Sequence, residues 1–515
     1  MEYRIKLRWL ILFATLIRCV CALLVELGND EVYYYTYALQ LDWNHFDHPP
    51  IVGIVIRFFT LNLHWINTFS MRFGAIIIAA INTWLIARTG TLLRNQRTGF
   101  IAAIIYNVSI YTSIIAGLFI LPDSPAVFFW LASLYCMLKI ILNKEKKISR
   151  TLIWLGFFIG LAIMSKVHGV FLWLGFVIYI LLYQKNLLFR KQLYISIFLT
   201  IIIILPIFLW NLKYDFITWK FHGDRVNIKD NYIHFNSLFT AIAGQLFYNN
   251  PLLIVLYTIA LLALRKANNI IPANTVRLLL CCAIPIILAT TLIALFRPIL
   301  PHWSGPGFIP FMLLTATWID WHLHQTRTSI SKPLLNSALY FTLVILFSGV
   351  LLIRLYPGNL SGANEKKELG KGDFSLDMTG WEKLGIDFSK FREQDVIKDK
   401  MNPDAVILIN KWFPGGHLYF YVARPLNIPT IGVGNLSDLH KFVWLNVIEG
   451  NIKSGGDAYF IVPSNNFDDP KALYHNLFHS IELATILHQK RGNKTIRHWY
   501  IYRLKNAKAP LGSLY

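Results

Sequence analysis

The chain has 515 residues, of which 55% are hydrophobic and only 15% are charged. Soluble globular proteins carry about 25% charged residues, so this composition predicts a polytopic membrane protein. The formal net charge is +21, but the Lys and Arg residues gather in short loops, which is typical of topology signals and not of nucleic-acid binding. All five cysteines fall in apolar segments, so we expect neither a disulfide framework nor a zinc site.

Apolar segments of spanning length follow one another through the first two thirds of the chain, and we predict about eleven membrane spans. The first has a basic flank and no small-residue cleavage site, so we interpret it as a retained span and not as a signal peptide. The fifth and sixth are ambiguous, because MSKVHG between them could also interrupt one broken segment. The predicted spans are 7–25, 70–91, 98–117, 124–142, 151–165, 167–184, 191–212, 238–264, 278–296, 303–321 and 334–356.

The loops between these spans divide into two sets. Alternate loops, beginning with the N-terminus, are merely basic, which assigns them to the cytoplasm by the positive-inside rule. The opposite loops mix Asp, His, Lys, Arg and Pro. Ionisable residues at membrane depth are costly and usually face a cavity, so we expect any chemistry to be gathered on the outward face.

The end of the chain differs in composition from the spans. DAVILIN and DAYFIVPS read as β-strands, and GGHLYFYVA and SDLHKFVWLNVIEG as helical or mixed segments. An odd number of spans places this part outside the cytoplasm. We therefore predict a mainly α membrane domain over residues 1–356, with an outward loop 26–69 that carries interfacial helices, and a small extracytoplasmic α/β domain over residues 357–515.

The first outward loop, GNDEVYYYTYALQLDWNHFDHPP (28–50), holds an unusual density of ionisable groups. Asp30 and Glu31 precede VYYYTYALQL, which indicates a short amphipathic helix with its tyrosines at the level of the lipid headgroups. Asp30 fits either a helix cap, favoured by the helix dipole, or a functional carboxylate. Asp47 and His48 stand before two prolines and fit either a turn or a site.

Two further outward loops carry isolated charges. Asp123, in LPDSP, stands at the start of the fourth span, where a helix-capping role is expected. Lys166, in MSKVHG, lies on the side where the positive-inside rule disfavours lysine. It therefore needs an anionic partner, which is either a lipid phosphate or a neighbouring carboxylate.

Arg18 lies inside the first span, where we expect it to be packed or to snorkel.

KFHGDRV (220–226) concentrates two cations, a histidine and an aspartate beside aromatic residues. A solvated loop end is one interpretation. In the other, Arg225 grips a phosphate with its planar fork, and His222 joins Asp47 or Glu31 as a metal ligand. No HExxH, CxxC or P-loop pattern occurs in the sequence.

An outward cavity with carboxylates and cations suits a substrate that has a lipid tail and a phosphate head. Nucleotide sugars are cytoplasmic, so a glycosyl donor on this face would be carried on a polyprenyl phosphate. Cations stabilise the leaving phosphate, and one carboxylate acts as general base on the acceptor hydroxyl. Such a single displacement inverts the anomeric centre and does not require the paired carboxylates of retaining glycosidases.

Two other functions are compatible with a membrane protein of this kind. A secondary transporter or lipid flippase usually places its site near the midplane between repeats, whereas here the ionisable residues crowd one side and no duplicated halves are evident. A non-catalytic scaffold for the tail would not require Lys166 or Arg225 at membrane depth.

Taken together, Asp30-Glu31 after the first span, FDHPP, LPDSP, SKVHG and the HGDR loop resemble the integral-membrane glycosyltransferases with the GT-C fold. The bacterial branch grouped with protein O-mannosyltransferases and the aminoarabinose transferases of lipid A is the most similar, over about residues 1–355. The resemblance implies an enzyme of the bacterial inner membrane with a periplasmic tail. It would move a sugar from a polyprenyl-phosphate donor to lipid A, a glycan or a protein.

The resemblance also implies roles for individual residues. Asp30 falls on the position of the catalytic base, with Glu31 beside it. Lys166 matches a lysine that faces the lipid phosphate, and we assign Arg225 and His48 to the same donor phosphate.

A divalent metal of unknown identity is the implied cofactor. In the aminoarabinose transferases, a glutamate followed by lysine binds a metal together with a later histidine. Here that position is Asp47 followed by His48, and we assign His222 as the later histidine.

Overall fold

A computed structural model describes residues 2–142, 148–227, 232–266, 270–325, 330–363 and 365–512. By its internal contacts the chain forms two compact units. The first, here called the helical unit, comprises Met1–Val20, Asp42–Phe59 and Arg72–Leu346. The second, here called the sheet unit, comprises Cys21–Leu41, Thr60–Met71 and Phe347–Tyr515. The predicted division at residue 356 stays a prediction, and the contacts add that two segments of the first outward loop group with the end of the chain.

The first two thirds of the chain are helical, as the apolar runs predict, because every backbone polar group in lipid must be satisfied within its own segment. The helices are α1 (Glu2–Leu24), α2 (Asn29–Leu39), α3 (Ile51–Phe59), α4 (Thr68–Leu93), α5 (Gln96–Val108), α6 (Asp123–Leu142), α7 (Ile148–Ser165), α8 (Val170–Tyr183), α9 (Lys191–Lys213), α10 (Ile217–Val226), α11 (Phe235–Tyr248), α12 (Pro251–Lys266), α13 (Ala273–Ala294), α14 (Ile309–Gln325) and α15 (Ser331–Leu355).

Within the described residues, seven helices are long and apolar enough to cross a membrane: α1, α4, α6, α7, α9, α13 and α15. The predicted single span 238–264 is wrong in detail, because α11 and α12 meet at a bend of 88°. The bend is held by Asn250, whose side-chain amide donates to the main-chain oxygen of Ala338 (2.9 Å) and to Thr342 (3.0 Å). Pro251 follows, and it has no N–H with which to continue α11.

The ambiguous pair at 151–184 is two separate helices, α7 and α8, joined by a 3-10 turn at Val167–Gly169. Helix α7 packs closely against α9 through two glycines one turn apart. A Cβ on Gly156 would lie 2.1 Å from the main-chain oxygen of Ser196, and one on Gly160 would lie 3.0 Å from Ile203. The hydroxyl of Thr200 donates to the main-chain oxygen of Gly156 at 2.7 Å. Small residues at such a contact allow two membrane helices to approach closely.

The sheet unit contains one five-stranded mixed sheet in the order β2-β1-β3-β5-β4. The strand β1 is parallel to β2 and β3, whereas β5 is antiparallel to β3 and β4. The predicted strands DAVILIN and DAYFIVPS are confirmed as β1 and β3. The elements are α16 (Trp381–Ile397), β1 (Val406–Ile409), α17 (Trp412–His417), β2 (Thr430–Gly432), α18 (Leu436–Leu439), α19 (Phe442–Glu449), β3 (Ala458–Pro463), α20 (Pro470–Tyr474), β4 (Phe478–Arg491) and β5 (Lys494–Ala507).

The helix predicted after Asp30 exists as α2, but its tyrosines are not surface groups at the level of the headgroups. Tyr33 and Tyr35 are buried within the sheet unit. The ring of Tyr33 lies 5.4 Å from that of Trp412, and the ring of Tyr35 lies 5.1 Å from that of Phe420, edge to face. The tyrosines of α2 are therefore core residues of the sheet unit.

The close contact between α7 and α9 generates a stability prediction. Gly156→Ala is expected to lower the melting temperature in detergent by several degrees, because overpacking of this kind costs about 1–3 kcal/mol. Gly349→Ala on α15 is the matched control, since its added Cβ would meet open space. Equal melting temperatures for the two variants would show that the α7–α9 contact does not limit stability.

Candidate active site

A buried ion pair links the fourth and fifth predicted spans. Lys166 Nζ lies 2.7 Å from Asp123 Oδ2, and the two side chains are only 4% and 3% exposed. The hydroxyl of Tyr111 donates to the other oxygen, Asp123 Oδ1, at 2.8 Å. Of the two anionic partners predicted for Lys166, the structure shows the neighbouring carboxylate. Asp123, expected only to cap α6, therefore has a role in this pair, and the sequence analysis did not assign it to the site.

Tyr111 reaches Asp123 from a π-helical turn, Tyr111–Ile115. Arg18 of α1 holds that turn, because its Nε donates to the main-chain oxygen of Ser113 at 3.1 Å and its Nη2 donates to Asn107 Oδ1 at 2.9 Å. Arg18 is 4% exposed. Arg18 is thus packed inside the helical unit and does not snorkel. Insertions of π-helical geometry are frequent at functional sites.

Several histidines interact electrostatically with this pair. Burial lowers the pKa of the His48 imidazole to about 4, with smaller effects from Asp47, His222, Lys166 and Asp123. Burial likewise lowers the pKa of His302, in the 3-10 turn Pro301–Phe308, to about 4. Both imidazoles are therefore neutral at pH 7. His302 had no role in the sequence analysis, although HWSGPG stands in an outward loop.

The helical unit contains a cavity of about 500 Å³. Most of its lining is apolar and comes from α7, α8 and α9, and residues of the first outward loop and of α10 complete it. Ile201, Leu205 and Phe208 on α9 are each more than two-fifths exposed, so the apolar wall continues to the outer surface of a helix of membrane-spanning type. The lining residues are Asn44, Asp47, His48, Pro49, Ile163, Val167, Val170, Ile201, Ile204, Leu205, Ile207, Phe208, Thr218, Trp219 and His222.

The structure brings together three residues that the sequence predicted separately. Asp47, His48 and His222 line the same cavity, and the rings of His48 and His222 are 5.9 Å apart. Lys166 stands in the chain next to Val167, another lining residue. Arg225 lies one turn after His222 on α10, is exposed, and places its guanidinium 4.9 Å from the ring centre of Phe221.

Asp30 and Glu31 belong to the sheet unit, in the first turn of α2. Glu31 is 2% exposed, and its Oε2 accepts a hydrogen bond from the N–H of Gly28 at 2.9 Å. It thereby satisfies a backbone donor at the start of its own helix. Asp30 is exposed. The two carboxylates of the predicted pair therefore have different environments.

The side chain of His222 is hydrogen-bonded to the main chain of Asp47, the other predicted metal ligand. His222 Nε2 lies 2.6 Å from the carbonyl oxygen of Asp47, as an N–H donor would. A metal at Nε2 would have to replace this hydrogen bond. Within the part of the chain that the structure describes, no group of three or more His, Cys, Asp or Glu side chains is arranged to hold a metal. Metal binding by Asp47 and His222 stays a prediction.

The buried pair generates a test of mutual dependence. Lys166→Met leaves the Asp123 carboxylate buried without its cation, which is expected to cost about 3–5 kcal/mol of stability. The double variant Lys166→Met, Asp123→Asn removes both charges and should recover most of that loss. Thermal unfolding in detergent measures both effects, and an equally unstable double variant would contradict a charge-based explanation.

One family model matches part of the sequence. The family model described as dolichyl-phosphate-mannose-protein mannosyltransferase matches residues 47–210, which include Asp47, Asp123 and Lys166. No curated protein has a significant sequence match to this chain.

Two crystal structures of ArnT from Cupriavidus metallidurans have a similar fold. The form bound to undecaprenyl phosphate is 15% identical, with a TM-score of 0.61 over 96% of this chain and 97% of that chain. The apo form is 12% identical, with a TM-score of 0.62 over 98% of each chain. The predicted resemblance to GT-C membrane proteins is confirmed, and the family match indicates a glycosyltransferase.

Proposed function

We propose that this protein transfers a sugar from a polyprenyl-phosphate carrier to an acceptor hydroxyl or amine at the extracytoplasmic face of a bacterial inner membrane. The acceptor is a lipid, a glycan or a protein. The N-terminus is cytoplasmic and the sheet unit lies outside, as the distribution of Lys and Arg among the loops supports.

The observation that carries the proposal is the lining of the cavity. It is mostly apolar and includes exposed side chains of α9, and it also contains Asp47, His48 and His222. Such a lining suits a ligand with a long apolar tail and a polar head. A polyprenyl phosphate has this form, and the similar ArnT structure was solved with undecaprenyl phosphate bound.

The chemistry at the head requires stabilisation of a leaving phosphate. As the bond between the anomeric carbon and the phosphate oxygen breaks, negative charge grows on the phosphate, and positioned cations and donors lower the energy of that state. Arg225 supplies a cation, and Lys166, whose charge is paired with Asp123, supplies N–H donors. His48, which is neutral at pH 7, contributes an N–H donor and no charge.

Asp30 is the proposed general base. It takes the proton of the acceptor as the acceptor atom forms its bond to the anomeric carbon, and the polyprenyl phosphate leaves from the opposite side. The sugar is thereby inverted. Glu31 is the weaker candidate, because it is buried and already accepts the hydrogen bond from Gly28.

Blocking the apolar wall tests the carrier site. Leu205→Trp adds bulk inside the cavity and is expected to weaken binding of undecaprenyl phosphate about tenfold or more, because overpacking of a fitted site costs more than 1 kcal/mol. Native mass spectrometry of the delipidated protein measures the affinity. Leu209→Trp is the matched control, since Leu209 is also exposed on α9 (53% against 43% for Leu205) but does not line the cavity. The same affinity in both variants would exclude this cavity as the tail site.

Removing the proposed base tests the chemical step. Asp30→Asn is expected to lower the rate of sugar transfer by about 10²- to 10⁴-fold while undecaprenyl phosphate still binds, because a general base contributes that much to a transfer. Asp404→Asn, at another exposed aspartate of the sheet unit, is the control.

The donor for this assay comes from cells that lack the protein. Lipid mass spectrometry of such cells should show an accumulated sugar-bearing carrier, and that lipid fraction is then the substrate. Wild-type transfer by the Asp30→Asn variant would remove Asp30 as the base. Flux of the carrier across liposomes without transfer of sugar would instead indicate a flippase.

A further inference from the structure

We propose that the sheet unit holds Asp30 in position for base catalysis, with Tyr421 and Glu26 as positioning residues. The inference rests on the proposed function and gives the C-terminal part of the chain a role in it. Every contact that carries it lies within the sheet unit, which includes residues 21–41.

The segment just before α2 is held by hydrogen bonds of both its backbone and its side chains. The N–H of Leu27 donates to the hydroxyl oxygen of Tyr421 at 2.7 Å. The N–H of Glu26 donates to the main-chain oxygen of Met378 at 3.2 Å. The side-chain oxygen of Asn29 lies 2.8 Å from His417 Nε2, which donates to it. Three of the four residues before Asp30 are thus bonded to two separate parts of the C-terminal sequence.

The carboxylate of Glu26 adds hydrogen bonds to the same part of the C-terminal sequence. It accepts from the N–H of Trp381 at 2.8 Å and from the N–H of Glu382 at 3.3 Å. These N–H groups begin α16, where they have no partner inside the helix and where the helix dipole favours a negative charge. The segment that leads to Asp30 is therefore hydrogen-bonded to the C-terminal sequence within GWEKLG (380–385).

The groups that hold this segment are themselves rigid. The imidazole of His417 stacks on Trp381, with ring centres 4.0 Å apart and planes within 6°, and lies 6.0 Å from the ring of Tyr421. Gly416 lies so close to α2 that a Cβ there would be 3.0 Å from a methyl carbon of Val32. A stacked imidazole and a close helix contact leave the start of α2 little freedom to move.

Asp30 follows these bonds directly and projects from the first turn of α2. Its position is consequently set by the backbone before it and by the helix that it begins. Proton transfer depends steeply on the placement of the base, and a shift on the order of 1 Å can lower a rate about 10²-fold. Loss of one of these bonds should therefore reduce turnover without changing the affinity for the carrier.

Tyr421→Phe in the full-length protein is the direct test. It keeps the aromatic ring beside His417 and removes the hydroxyl that accepts from the N–H of Leu27. Hydrogen–deuterium exchange of residues 26–34 should become faster. The kcat for transfer from the accumulated carrier fraction should fall about fivefold, as loss of one hydrogen bond allows, with KM within about twofold of wild type. The affinity for undecaprenyl phosphate should not change.

Tyr474→Phe is the matched control, because its hydroxyl donates to the main-chain oxygen of Val433 at 3.0 Å, elsewhere in the sheet unit. It should leave both exchange at residues 26–34 and kcat unchanged. Glu26→Gln, which keeps one acceptor oxygen, should change both in the same direction as Tyr421→Phe. It provides the test if Tyr421→Phe does not fold.

The results separate this inference from the proposed function. Faster exchange with an unchanged kcat, or a fall in kcat/KM that comes from KM alone, would overturn the positioning role. So would unchanged exchange and turnover in both variants. If one of these contradicting outcomes is observed but Asp30→Asn abolishes transfer, Asp30 remains the proposed base. Only the positioning role of Tyr421 and Glu26 is then wrong. If Asp30→Asn transfers sugar normally, the proposed function itself fails.

Discussion

A charge among apolar side chains must be met by a partner inside the protein, because desolvation of an unpaired ion costs several kcal/mol. Lys166 and Asp123 satisfy each other at 2.7 Å, and Arg18 is met by a main-chain oxygen and an amide. These contacts connect α1 to the ion pair. Arg18 holds the π-helical turn, the turn presents Tyr111, and Tyr111 bonds Asp123. A candidate site built from outward loops is thereby connected to the first helix of the chain.

The acidic pair after the first span shows how neighbouring carboxylates take different roles. Glu31 turns back to its own helix terminus and is buried, so a proton transferred to it would weaken the start of α2. Asp30 is exposed on the same turn. The Glu31 carboxylate therefore serves the start of its own helix. Of the two carboxylates, the exposed one is the base in the proposed transfer.

The sequence predicted most helices of the first two thirds of the chain, because hydropathy reports directly on membrane burial. It did not predict that Lys166 pairs with Asp123, because the two are 43 residues apart and pairing across helices leaves no local pattern. The bend at Asn250 was missed since side-chain hydrogen bonds sustain it within an apolar run. The β4–β5 hairpin was missed because its strands carry many charges, although the Gly492-Asn493 turn between them is a hairpin signal.

The charges near the cavity constrain how a donor phosphate is stabilised. Lys166 and Asp123 together are neutral, and burial keeps His48 neutral at pH 7. A phosphodiester donor brings one negative charge, and more develops on the phosphate as the sugar departs. Arg225 is exposed, and its guanidinium lies 4.9 Å from the ring centre of Phe221. In the proposed transfer, the planar fork of Arg225 is better suited than the paired Lys166 to stabilise the charge that grows on the leaving phosphate.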